Sequence, residues 1–67
     1  MTYTMTVWWR AADGSPRRSR AHGRRQTVDT WFAETFGNAL EGTCVVEAIE
    51  VDRDGELVSF ETREQAA

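Results

Sequence analysis

From Tyr3 to Arg10 the chain alternates: Tyr3, Met5, Val7 and Trp9 fall on one side of an extended backbone, and Thr4, Thr6, Trp8 and Arg10 on the other. A period of two built from β-branched and aromatic residues predicts a strand over 3–10. Asp13-Gly14 then signals a hairpin turn. A two-residue turn there would set Trp9 opposite Arg18 and Val7 opposite Arg20, driving guanidinium groups into the core. A type I turn with Gly14 as a left-handed bulge residue shifts the register by one. Val7 then faces Ser19 and Met5 faces Ala21, while Arg18, Arg20 and His22 join Thr6 and Trp8 on the outer side. Burial selects the second register, because a slip of one residue exchanges the faces. It predicts a second strand over about 16–22.

Beyond the connector Gly23-Arg24-Arg25-Gln26, the residues Val28, Trp31, Phe32 and Phe36 recur at helical spacing and share one face. They predict a helix over about 27–36, with Thr27 as N-cap, Asp29 in the first turn and a stop at Gly37-Asn38. Ala39 and Leu40 are expected to tuck under the sheet before Glu41-Gly42 turns the chain. The β-branched run from Thr43 to Val51 predicts a third strand. Asp54-Gly55 predicts a second tight turn, and 56–62 a fourth strand. A two-residue turn there pairs Val51 with Val58 and Ile49 with Phe60, on one face with Val45. Glu47 lands on that face too and needs an edge or a partner. Residues 63–67 read as a fraying tail.

The expected fold is α+β: one small domain spanning 1–67, a β-hairpin–helix–β-hairpin (ββαββ) with an antiparallel sheet and one helix packed on one face. The expected core is Met5, Val7, Trp9, Trp31, Phe32, Phe36, Ile49, Val51 and Phe60. The other face is left open to solvent or a partner.

Charge sharpens that picture. The net charge of −3 divides unevenly along the chain. Residues 1–25 carry six Arg against Asp13, a balance of +5, and residues 26–67 carry two Arg against ten acids, a balance of −8. Such asymmetry hints at nucleic-acid binding or charge-matched association. All eight basic residues are Arg, which a GC-rich coding genome would also produce. The candidate contact residues are Trp8, Arg10, Arg17, Arg18, Arg20, Arg24 and Arg25, with His22 beside them. Guanidinium groups bind phosphate and an indole stacks on a base or sugar. The competing expectation is that Glu50, Ser59 and Glu61 share this outer side, so that the acids neutralise Arg18 and Arg20 across the sheet. Trp8 and Trp9 point oppositely as strand neighbours, so one is exposed or covered by another chain.

Residues 1–36 loosely resemble the arm-binding N-terminal domains of phage-type integrases in Trp9-Arg10, Asp13-Gly14, Arg17-Arg18-Ser19-Arg20 and Trp31. Those domains also run strand, turn, Arg-rich strand and a helix with an aromatic. The resemblance implies nothing about the second, acidic hairpin, and the chain is not assigned to that family.

Other chemistry finds little footing. Cys44 stands alone, so no internal disulfide forms, and one His with one Cys falls short of a structural zinc site. The remaining staple for so short a chain is self-association. From Glu50 to Glu61 the acids match the spacing of a calcium loop, but Val45 to Val51 reads as strand where that loop requires a helix. His22 and Cys44 are the conventional candidates for nucleophilic chemistry, and nothing places them together. No apolar run nears the ~20 residues that span a bilayer. The unpaired cysteine and the absence of an export signal point to a cytoplasmic protein. The expectation is a non-enzymatic binding module without cofactor, metal, membrane or small-molecule substrate, contacting nucleic acid through the Arg-rich face. Its alternative is a protein-interaction module: a homodimer, or a small inhibitor or accessory protein of a phage or bacterium.

Overall fold

The computed structural model describes residues 1–37 and 44–63. The elements run β1 (Tyr3–Arg10), β2 (Pro16–Gly23), α1 (Arg25–Phe36), β3 (Val45–Arg53) and β4 (Glu56–Thr62). The four strands form one antiparallel sheet in the order β2-β1-β3-β4. The helix packs on one face, so the fold is ββαββ. The readings of 38–43 and 64–67, including Ala39, Leu40 and the turn at Glu41-Gly42, lie outside the described residues.

The first hairpin adopts the register that burial selects. Val7 pairs with Ser19, Met5 with Ala21, Thr6 with Arg20 and Trp8 with Arg18. Its turn is closed by Gly14 N donating to Ala11 O at 2.9 Å, and Gly14 sits at φ +86°, where a side chain would be strained. The second turn places Asp54 at φ +51° and Gly55 at φ +86°, the paired positive angles of a type I′ hairpin.

The helix begins two residues earlier than its apolar spacing suggests. Val28 N already donates to Arg24 O at 3.1 Å, which places Arg24 at the N-cap and Thr27 inside the helix. Arg24 supplies no side-chain cap. Asp29 therefore lies beyond the first turn and pairs with Arg25 one turn back, at 3.2 Å. Gly37 keeps a right-handed conformation and donates to Ala33 O, so the helical path runs through it without a left-handed stop.

Met5, Val7, Val28, Phe36 and Val51 form the buried core. Phe36 is its hub: the rings of Trp9, Trp31 and Phe32 lie 5.7, 5.7 and 5.3 Å from it. Trp9 also donates its indole N–H to Ser19 Oγ at 3.0 Å, which satisfies its polar edge. The helix lies across β1 and β2.

Two irregularities change the second hairpin. Between Trp8 and Trp9 the partner on β3 jumps from Ala48 to Val46, so Glu47 is an inserted bulge residue. Val46, not Val45, then packs on the core, and Val45 is exposed on the outer face. Glu47 leaves the inner face altogether and meets Arg10 at 3.1 Å. On β4 a second shift inserts Val58: Arg53 pairs with Glu56 and Asp52 with Leu57, but Val51 then pairs with Ser59, Ile49 with Glu61 and Glu50 with Phe60. The expected pairs Val51–Val58 and Ile49–Phe60 do not form. Phe60 is not a core residue; it lies on the outer face, 45% exposed. Ser59 and Glu61 take the inner face, where β4 lies beyond the helix.

This arrangement predicts unequal costs for two phenylalanines. Phe36→Ala should destabilise by about 3–5 kcal/mol, the usual range for emptying a core aromatic site. Phe60→Ala should cost about 1 kcal/mol, the scale of one aromatic pair. Urea unfolding of the two variants measures the difference, and equal costs would contradict the placement of Phe60.

Candidate binding face

The outer face of the sheet can be read strand by strand. β2 contributes Arg18, Arg20 and His22; β1 contributes Thr4, Thr6 and Trp8; β3 contributes Ala48, Glu50 and Asp52; β4 contributes Leu57, Phe60 and Thr62. The pairings align these into rows: Arg18–Trp8–Ala48–Thr62, Arg20–Thr6–Glu50–Phe60 and His22–Thr4–Asp52–Leu57. Chemistry therefore changes across the sheet, from basic through neutral to acidic to apolar. The helix covers the opposite face, so these side chains have no layer above them among the described residues.

Two interactions give the face its relief. The rings of Trp8 and Phe60 meet edge to face, 6.0 Å between centroids, although their strands are separated by β3. Both must lean across β3 to do so, forming an aromatic ridge. Beside it, Arg20 Nε donates to Thr6 Oγ1 at 3.1 Å. Thr6 is 1% exposed although it points away from the core; the Arg20 stem helps cover it. Thr4 Oγ1 and His22 Nδ1 lie 3.0 Å apart. Leu57 is 62% exposed and Val45 37%, so the β3–β4 side of the face carries unusual apolar exposure.

The predicted contact residues divide. Trp8, Arg18 and Arg20 stand together on the open face. Arg10 stands at its end, holding Glu47 and the Gly14 carbonyl oxygen at 3.0 Å. Arg17 pairs with Trp9, so register puts it on the helix side of β2. Arg24 is exposed at the start of the helix. Arg25 binds Asp29 and lies 5.6 Å over the Tyr3 ring, again on the helix side. The acid expectation divides similarly: Glu50 shares the face with Arg20, whereas Glu61 and Ser59 do not. Phe60 and Leu57, with the acids Glu50 and Asp52, are face residues that the arginine pattern passes over.

His22 lies on the outer side of β2, and Cys44 packs against the core from the other side. The acids with calcium-loop spacing occupy a β-hairpin; Asp54 Oδ1 accepts the Thr2 backbone N–H at 2.9 Å. Among the described residues no cluster of His, Cys, Asp or Glu is arranged to hold a metal ion, and no helix is long and apolar enough to cross a membrane. The chain matches no family model, no curated protein and no solved structure.

One titration marks the hairpin beside the face. Asp13 accepts hydrogen bonds from Ser15 Oγ at 2.6 Å and Ser15 N at 2.9 Å. The Ser15 hydroxyl, then its backbone N–H, hold the Asp13 carboxyl below the ordinary 3.8. Both bonds favour the charged form, so their contribution is present above the unfolded carboxylate range and is lost as pH falls through the depressed folded value. NMR titration of the Asp13 carboxyl should give a midpoint below 3.8 that rises in Ser15→Ala. A wild-type midpoint at or above 3.8 would contradict the turn geometry.

Proposed function

We propose that this chain is a non-enzymatic, cytoplasmic binding module that engages a protein partner through the open sheet face. The placement of Phe60 carries this reading. A phenylalanine in solvent, braced against Trp8 and flanked by Leu57, is the aromatic centre on which protein interfaces concentrate their energy. The mixture of signs supports it as well. Arg18 and Arg20 share the face with Glu50 and Asp52, a pattern that gives orientation against another protein surface. A polyphosphate would meet those acids along with the arginines.

A second reading, nucleic-acid contact, draws support from the neighbouring Arg18 and Trp8, which offer phosphate binding and base stacking side by side. Fluorescence titration with single-stranded and duplex oligonucleotides, at low and high salt, separates the two. The protein-binding reading expects no saturable change at either salt. Saturable binding at low salt that weakens steeply as salt rises would overturn it in favour of nucleic acid.

A further inference from the structure

The partner itself can be inferred, on the basis of the protein-binding reading above. We propose that the open face docks a second copy of this chain, face to face, about a two-fold axis parallel to the strands and lying between β1 and β3.

The order of chemistry across the sheet leads to this axis. Rotation about it places β2 of each copy over β4 of the other, and β1 over β3. The basic strand of one copy thus meets the apolar strand of the other, with Arg20 above Phe60 of the second copy, a cation over an aromatic face. Glu50 of the second copy lies in the same row one strand further in, within reach of the long Arg20 side chain. The Trp8–Phe60 ridge lies over β3, and the rotation brings it above β1 of the second copy, where Arg20 reaches across Thr6. An in-plane axis perpendicular to the strands would set β2 upon β2 and oppose Arg18 and Arg20 to themselves. Like charges disfavour that choice.

The contact is self-complementary, as a two-fold interface must be. Four strands of seven to nine residues, spaced by about 4.8 Å, give a planar footprint of about 500 Å2. Standard interfaces bury about 800 Å2 per partner, so this dimer belongs among the weaker ones.

Sedimentation velocity from micromolar to millimolar protein tests the proposal. The wild type should shift from monomer to dimer across that range. Phe60→Ser, with an unchanged circular-dichroism spectrum, should remain monomeric. Arg20→Glu and Glu50→Arg should each remain monomeric alone, because each sets like charges together twice. Mixed in equal amounts they should associate, because both contacts then become attractive. A wild type that stays monomeric at millimolar concentration overturns the proposal. So does a dimer that survives Phe60→Ser, or a mixture of the charge variants that fails to associate while the wild type dimerises. A monomeric result leaves the protein-binding reading intact, since that reading falls instead on the oligonucleotide titration.

Discussion

A pleated strand shows alternate residues to alternate sides, and only an inserted residue can break the alternation. In this protein two insertions, Glu47 on β3 and Val58 on β4, decide what the outer face is made of. The first sends Val46 inward and lets Glu47 reach Arg10. The second turns Phe60 outward to Trp8. Without the Val58 insertion the ridge would not exist, and the face would carry Ser59 and Glu61 opposite the arginines. The exposed apolar surface follows from backbone register more than from composition.

Why the fold accepts this exchange lies on the other side of the sheet. The helix lies across β1 and β2, and its hub residue Phe36 gathers Trp9, Trp31 and Phe32 over them. Burial is complete for Val7 and Val28 at 0% exposure. At β4 the helix gives little cover. A polar Ser59 or charged Glu61 on the inner face of an edge strand keeps its access to water, so the penalty for burying it is small. The register of β4 is correspondingly less constrained by burial than that of β1.

This contrast explains what could be read from the residues alone. The first hairpin was legible because one of its two registers buries arginines and the other does not. The apolar helix face was legible because Val28, Trp31, Phe32 and Phe36 have no other common surface. Phe60 was not, because alternation over Val58–Ser59–Phe60–Glu61 favours an aromatic inside wherever an inside exists, and only the helix position shows that it ends before β4. The helix start was missed since Thr27 is a good cap by type, whereas Arg24 takes that place by backbone hydrogen bonding alone. Of the candidate arginines, Arg18 and Arg20 were placed by strand parity, and Arg17 falls on the other side by the same parity. Arg24 and Arg25 belong to the helix start, where parity gives no guidance.

Strand register, the aromatic ridge and the make-up of the open face all depend on the side on which Phe60 lies. Nuclear Overhauser spectroscopy reads that directly. The account predicts cross-peaks between the Phe60 ring and the Trp8 indole, together with backbone contacts pairing Val51 with Ser59. Cross-peaks from the Phe60 ring to Val7 or Phe36, with Val51 paired to Val58, would contradict it.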